Sequence, residues 1–195
     1  MLFTPPEAFG IVEKGLYRSD LLQPSHFPFI KTLNLKTAIV LSPEVPSRAV
    51  LNFFDENNIN LIHLGLRAWK PDLGWKPLSE ELVKEGLELV LNNHNYPIII
   101  MCTSGIHETG TFLGCLRKLQ TWNFNSIIVE YRSYSGNKAR YINEQFIELF
   151  DMDLVTLPAE LPEWFVEQYK LLREEEQAYN DDLEASESSA LPTCS

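Results

Sequence analysis

One segment of this 195-residue chain combines a thiol, hydroxyls, glycines and a histidine in an order that could do chemistry. The apolar run Pro97 to Met101 is followed by Cys102, a short loop containing Gly105, and a helix predicted from Thr109 to Trp122. A loop between a buried strand and a helix can point successive backbone N–H groups into one space, and the helix adds the positive end of its dipole. The segment therefore predicts an anion site, and such a site would lower the pKa of a thiol at its start.

Predicted strands and helices alternate around this segment. The strands are rich in apolar and β-branched residues and cover 16–19, 37–41, 59–64 and 97–101. The helices cover 27–33, 47–57, 79–93, 109–122, 141–150 and 162–179. This alternation predicts an α/β fold with a central, mainly parallel sheet flanked by helices, with Cys102 at the end of a buried strand.

Acidic residues outnumber basic ones, and the excess lies at the C-terminal end. The chain carries 16 Lys+Arg and 27 Asp+Glu, a net charge of −11, and seven of the acids fall between Glu174 and Ser195, where Lys and Arg are absent. The rest holds 16 basic and 20 acidic residues, which argues against a nonspecific nucleic-acid binder. We predict that a folded domain covers 1–176 and that the acidic, Ser-rich segment 177–195 is a disordered tail.

The numbers and spacing of the cysteine, histidine and glycine residues limit which cofactors and which cellular compartment the sequence is compatible with. Three cysteines at irregular spacing, Cys102, Cys115 and Cys194, indicate reduced thiols inside a cell. The four histidines show no metal-ligand spacing, and the sequence has no Walker-type or dinucleotide glycine pattern, so we predict neither metal nor cofactor. Without a signal-peptide pattern or an apolar run of membrane-spanning length, we expect a cytoplasmic protein with no membrane partner.

The segment around Cys102 resembles the signature of cysteine-dependent phosphatases, which is His-Cys, five residues, Arg, then Ser or Thr with Gly. Cys102 holds the nucleophile position and Thr109-Gly110 the end. Further matches cover residues 15–19, 27–29, 33–37, 41–44, 114–120 and 145–151. Together they make the chain similar to the plant and fungal atypical dual-specificity phosphatases, a family that includes the yeast oxidant-induced cell-cycle arrest proteins.

The resemblance implies a dual-specificity phosphatase-like fold and a phosphate loop after the nucleophile. Active members form a phosphocysteine and hydrolyse inositol pyrophosphates, and phosphotyrosine activity is also attributed to them. The implied loop consists of Thr103, Ser104, Gly105, Ile106, His107 and Glu108. The resemblance further implies inositol polyphosphate ligands, related phosphatase-family chains as partners in a hetero-oligomer, and a role in stress response or the cell cycle.

Three positions depart from the family pattern. Glu108 stands where the family has Arg, Met101 where it has His, and Ile106 where active members usually carry Lys. The family Arg holds the phosphoryl oxygens and stabilises the charge of the transition state, and a carboxylate does neither. Two unit charges about 5 Å apart at an effective dielectric constant of about 20 interact by roughly 3 kcal/mol, and reversing one sign swings the energy by about twice that.

We therefore predict a phosphatase-like protein that is catalytically inactive, in which Cys102 is a vestigial nucleophile and the loop serves a binding or regulatory role. The alternative is a weak cysteine-dependent phosphatase on inositol pyrophosphates or phosphotyrosine, with another cation replacing the missing Arg. A third hypothesis is redox sensing through Cys102, with Cys115 as the resolving thiol.

Charged residues outside the loop complete the candidate site. Asp72 is the candidate general acid, and the alternative is a solvated turn aspartate beside Gly74. Lys138 and Arg140 match family positions and are candidate anion-binding residues, with a solvated face as the alternative. Arg117 and Lys118 also match family positions, and Arg18 and Lys70 match them more loosely.

Overall fold

A five-stranded sheet forms the centre of the computed structural model, which describes residues 3–67 and 77–189. The strand order is β1-β2-β5-β3-β4; β1 is antiparallel to β2, and every other pair is parallel. The strands are β1 (Gly10–Glu13), β2 (Leu16–Asp20), β3 (Thr37–Val40), β4 (Asn60–His63) and β5 (Ile98–Cys102). The mainly parallel α/β fold predicted from the sequence is confirmed.

Helices cover both faces of the sheet. The helices α4, α5, α6 and α7 contribute to the core on one face, and α1 and α2 to the core on the other. No helix within the described ranges is long and apolar enough to cross a membrane. The helices are α1 (Phe27–Thr32), α2 (Arg48–Glu56), α3 (Leu64–Arg67), α4 (Glu80–Val90), α5 (His107–Leu119), α6 (Phe124–Ser135), α7 (Tyr141–Leu149) and α8 (Glu163–Ser189).

The strand that leads to the candidate nucleophile, β5, is enclosed on every side. It lies between β2 and β3, and all five of its side chains are fully buried. Its side chains alternate between the two cores, with Ile100 and Cys102 in one and Ile99 and Met101 in the other. Because both faces are covered, the strand is apolar throughout rather than at every second residue.

The carboxyl ends of the four parallel strands meet at one edge of the sheet. Asp20 pairs in register with Cys102, Val40 with Met101, and His63 with Val40. The segments after β3 and β5 therefore start side by side, at the edge where α/β folds place their ligands.

The C-terminal helix is longer than the sequence predicts. It runs without a break from Glu163 to Ser189, whereas we predict a disordered tail from residue 177. This helix therefore includes residues 177–189 of the predicted tail, whose disorder stays a prediction. Residues 190–195 lie outside the described residues, and the domain boundary at 176 stays a prediction.

Candidate active site

The loop after Cys102 turns sharply against the end of β2. Gly105 has φ +65°, and a Cβ at this position would lie 2.6 Å from the Asp20 nitrogen and 2.8 Å from the Ser19 carbonyl carbon. A residue with a side chain would be strained both by the dihedral and by the contact. The glycine predicted to shape this loop is therefore required by its backbone geometry.

Replacing Gly105 with alanine is expected to destabilise the protein by about 1–3 kcal/mol through this combination of strain and overlap. Gly136 provides a matched control, because its φ of +51° is similar but nothing lies within 4 Å of an added Cβ. Urea unfolding of Gly105→Ala and Gly136→Ala should show the larger loss for the first. Equal losses would mean that the packing of the loop on β2 contributes nothing.

A buried side chain of β2, Arg18, holds the loop in place. Arg18 is 2% exposed and donates from Nη2 to the Gly105 carbonyl oxygen at 2.7 Å. Its guanidinium also lies 3.6 Å from the centroid of the Tyr134 ring. Arg18 therefore supports the loop and is not a surface cation for a ligand.

The segment after β3 holds the other side of the loop. Ser42 Oγ accepts a hydrogen bond from the Thr103 backbone nitrogen at 3.2 Å, and Thr103 Oγ1 donates to Glu44 Oε2 at 2.6 Å. The hydrogen bond from Thr103 is the largest cause that lowers the pKa of Glu44. Within the loop, Ser104 Oγ accepts from the Ile106 nitrogen at 3.3 Å.

The Cys102 thiol lies at the bottom of the loop with no exposed surface. Burial raises its pKa, and the negative charge of Glu108 raises it further. The Thr109 hydroxyl and backbone amide act in the opposite direction, and Glu108 also raises the pKa by accepting a hydrogen bond from the thiol. The net direction is upward, so burial and the negative charge of Glu108 outweigh the lowering expected from the loop and the helix dipole. The Glu108 side chain is half-buried.

Cys102 is therefore expected to react slowly with iodoacetamide at neutral pH, because only the thiolate reacts. Replacing Glu108 with glutamine removes a negative charge, so the midpoint of the pH–rate profile should move to lower pH. Glu44→Gln is the matched control, since that carboxylate binds Thr103 in the same loop. Alkylation followed by peptide mass spectrometry measures each profile. Equal profiles for the Glu108 variant and the unmodified protein would contradict the effect of Glu108 on the pKa of Cys102.

The charges of two cations, Lys138 and Arg140, act on His107 at the end of the loop. The pKa of His107 is lowered mainly by burial and next by the positive charge of Arg140, with a smaller effect from Lys138. The structure thus brings His107, Lys138 and Arg140 together, and both cations are exposed. Glu108 raises the pKa of His107, so the same cluster contains one negative charge.

Two buried side chains fix this cationic segment to the fold. Asn143 has no exposed surface, and its Nδ2 donates to the Tyr131 hydroxyl at 2.9 Å and lies 3.5 Å from His107 Nδ1. The Tyr131 hydroxyl in turn accepts from the Arg140 backbone nitrogen at 3.2 Å. The sequence analysis named neither residue, although Asn143 precedes a segment that matches the family.

The remaining predicted residues have other places. Asp72 lies outside the described residues, so its role as a general acid stays a prediction. Cys115 is fully buried in α5, and burial raises the pKa of its thiol, which does not favour a resolving role. No group of three potential metal ligands occurs within the ranges that the structure describes.

Two of the family-matching cations stabilise the fold away from the loop. Arg117 is 4% exposed and pairs through Nε with Glu130 Oε2 at 2.9 Å, as well as with Glu13. Lys118 donates to the Phe150 carbonyl oxygen at 2.9 Å. Neither side chain belongs to an anion site at the loop.

Comparison with known proteins agrees with this fold and loop. The sequence profile of the tyrosine phosphatase family matches residues 3–168, so the chain belongs to that family. The chain is 49% identical over 160 residues to "Probable tyrosine-protein phosphatase DG1060" of Dictyostelium discoideum, which covers 82% of this chain and 95% of that protein. It is 40% identical over 151 residues to "Inositol diphosphatase DSP3" of Arabidopsis thaliana, which covers 77% of this chain and 73% of that protein.

A solved structure shows the same architecture. The core catalytic domain of the PP-IP phosphatase SIW14 from S. cerevisiae, in complex with citrate, superposes with a TM-score of 0.72 at 38% identity. The match covers 78% of this chain and 90% of that one. The resemblance to plant and fungal phosphatases inferred from the sequence is thus confirmed.

Proposed function

We propose that this member of the tyrosine phosphatase family is a pseudophosphatase that binds a phosphorylated ligand without turning it over and acts as a regulatory partner. The observation that carries the proposal is Glu108 at the position where the family has its Arg, with a negative charge that raises the pKa of the Cys102 thiol. The proposed setting is the cytoplasm, in the response to stress or in the cell cycle.

Glu108 opposes the chemistry at two stages. Attack on phosphorus needs a thiolate, and both burial and Glu108 favour the thiol. The transition state then places negative charge on the phosphoryl oxygens, next to a carboxylate instead of a guanidinium. A loss of several kcal/mol in transition-state stabilisation corresponds to a rate reduced on the order of a thousandfold.

The cations beside the loop support retained binding. Lys138 and Arg140 are exposed next to His107, and their segment is fixed through Tyr131 and Asn143. They can therefore hold phosphate groups of a ligand that lies across the mouth of the loop. The similar DSP3 and SIW14 are named for action on inositol diphosphates and PP-IP, so we propose an inositol polyphosphate as the ligand.

Binding can be measured by isothermal titration calorimetry with inositol hexakisphosphate as the probe. We expect Lys138→Ala combined with Arg140→Ala to weaken binding by about tenfold or more, since each exposed cation contributes attraction to several phosphates. The matched control replaces Lys31 and Lys36, two exposed lysines at α1 and the turn after it. Equal weakening in both double variants, or no binding by the unmodified protein, would contradict the proposal.

The second candidate function is weak cysteine-dependent hydrolysis of inositol pyrophosphates or phosphotyrosine. The names of the similar proteins favour it, as do Cys102 and Thr109 in the positions that the family uses. It needs a substitute for the missing Arg, such as Arg67, Lys138 or Arg140, and, after burial, the positive charges of Arg140 and Lys138 lower the pKa of His107 in the loop. Assembly with related phosphatase-family chains also stays a prediction.

A further inference from the structure

Arg18 places a buried positive charge beneath the loop. The side chain is 2% exposed, and its Nε has no hydrogen-bond partner among the residues that the structure describes. Glu130 is a carboxylate whose charge acts on Arg18, but both of its oxygens accept hydrogen bonds from Arg117 at 2.9 Å. A buried arginine is rare unless it is paired, because removing a charge from water is costly. The position of Arg18 therefore calls for a role beyond packing.

One nitrogen of this guanidinium meets both the loop and the helix that follows it. Arg18 Nη2 donates to the Gly105 carbonyl oxygen at 2.7 Å, and a Cβ added to Gly110 would lie 3.9 Å from the same nitrogen. The Tyr134 ring packs against the guanidinium, with 3.6 Å between the guanidinium carbon and the ring centroid. Arg18 is therefore held between the turn of the loop and the first turn of α5.

The bond from Arg18 fixes the direction of the peptide group between Gly105 and Ile106. This peptide is planar and trans, so its C=O and its N–H point in opposite directions. The Gly105 carbonyl oxygen is directed at the buried guanidinium. The Ile106 N–H therefore points away from the guanidinium and is free of the contacts that hold the loop on β2.

Ser104 provides a weak acceptor for the Ile106 N–H. Its Oγ lies 3.3 Å from the Ile106 nitrogen, which is long for an N–H···O hydrogen bond. Ile106 is also the N-cap residue of α5, and its side chain makes no capping bond to the helix. A charged phosphoryl oxygen is a stronger acceptor than a hydroxyl, so it can replace Ser104 Oγ at this N–H.

The charge of Arg18 acts within the same loop. Burial lowers the pKa of Arg18, and Cys102 is among the groups whose charge acts in the opposite direction. The guanidinium is thus within electrostatic reach of the residue at the bottom of the loop. Because water is excluded from Arg18, its attraction for an anion in the loop is screened less than that of an exposed cation.

We propose that Arg18 is a positioning residue for ligand binding, which turns the Ile106 N–H towards a phosphoryl oxygen that replaces the Ser104 hydroxyl as its acceptor. Arg18 acts through the backbone and does not touch the ligand. The inference rests on the proposed function, because it concerns how the loop binds the phosphorylated ligand.

The test titrates the isotope-labelled, full-length chain with inositol hexakisphosphate and follows the backbone amide signals by NMR. In the unmodified protein, the Ile106 amide proton should shift downfield on binding. Arg18→Met should weaken binding by about tenfold and abolish the Ile106 shift, because the peptide loses its anchor and the loop its buried charge. Arg18→Lys keeps a charge and a donor, so it should restore part of the affinity and of the shift.

Two further variants separate this role from a structural one. Arg117→Met removes another buried arginine, which lies away from the loop, and should leave the affinity of the folded protein within about twofold. Ser104→Ala removes the hydroxyl that competes for the Ile106 N–H and should tighten binding by about threefold. This second variant leaves Arg18 in place, so it tests the proposal even if Arg18→Met does not fold.

The outcomes distinguish the inference from the proposed function. If the unmodified chain binds the probe and Arg18→Met binds it equally well or keeps the Ile106 shift, the inference is wrong and the proposed function stands. Weaker binding by Ser104→Ala, or an equal loss in Arg117→Met, would also overturn the inference alone. No binding by the unmodified chain would overturn both.

Discussion

Replacing Glu108 with arginine is expected to raise phosphate release from an inositol pyrophosphate by at least about a hundredfold. The variant removes the carboxylate that raises the pKa of Cys102 and supplies the cation for the phosphoryl oxygens. Changing the charge at position 108 from −1 to +1 alters its interaction with a unit negative charge about 5 Å away by roughly 6 kcal/mol at an effective dielectric constant of about 20. We expect only part of this energy, because the loop is shaped around glutamate. A phosphate assay under single-turnover conditions measures the gain.

Glu108→Gln is the matched control for this gain. It removes the negative charge with little change in shape, so it should lower the pKa of Cys102 without providing the missing cation. We therefore expect a smaller gain from glutamine than from arginine. Equal rates for the unmodified protein and Glu108→Arg would show that Glu108 is not what limits the chemistry.

Replacing Arg117 with methionine is expected to lower the free energy of unfolding by about 3 kcal/mol, because removing one partner of a buried ion pair leaves the other charge without a partner. Arg117 is 4% exposed; besides its pairs with Glu13 and Glu130, it donates to the Val12 carbonyl oxygen at 3.0 Å. Its guanidinium also lies 4.3 Å from the centroid of the Trp122 ring. Methionine keeps most of the volume but leaves the carboxylates without their cation, and urea denaturation measures the loss.

Arg132→Met serves as the comparison. Arg132 also pairs with a glutamate, Glu144, at 2.7 Å, but its side chain is 59% exposed. Water and salt screen an exposed charge, so the loss should be much smaller than for Arg117. Similar losses for the two variants would contradict the view that Arg117 is a structural residue because of its burial.

Local patterns in the sequence predict most of the elements near the site. The continuous apolar run gives β5, which is shifted by one residue from the predicted 97–101 to Ile98–Cys102. The sequence analysis missed α6, where the apolar Ile127, Ile128 and Tyr131 do lie at helical spacing. The Asn123 side chain accepts from the Asn125 nitrogen at the start of this helix, and this capping residue was a usable signal. It also missed β1, whose irregular register and partly exposed edge leave little pattern.

The sequence predicts the chemical groups of the site but not the residues that hold the loop in place. The strand–loop–helix pattern predicts an anion loop that starts at Cys102 and contains Gly105, and the family resemblance implies the importance of position 108. The bond from Arg18 to Gly105 joins residues 87 positions apart, and that from Asn143 towards His107 joins residues 36 apart. Such contacts exist only once the sheet and helices have packed. The direction of the Cys102 pKa shift depends in the same way on burial, which the sequence does not give.

The most direct test of the inactive loop is phosphate release from an inositol pyrophosphate by the purified, unmodified chain. Cys102→Ser serves as the control for the nucleophile, and the SIW14 catalytic core serves as an active reference. We expect no release above the rate without protein from either the unmodified chain or Cys102→Ser. Turnover by the unmodified chain that disappears in Cys102→Ser would contradict the account and establish a working cysteine phosphatase with a substitute cation.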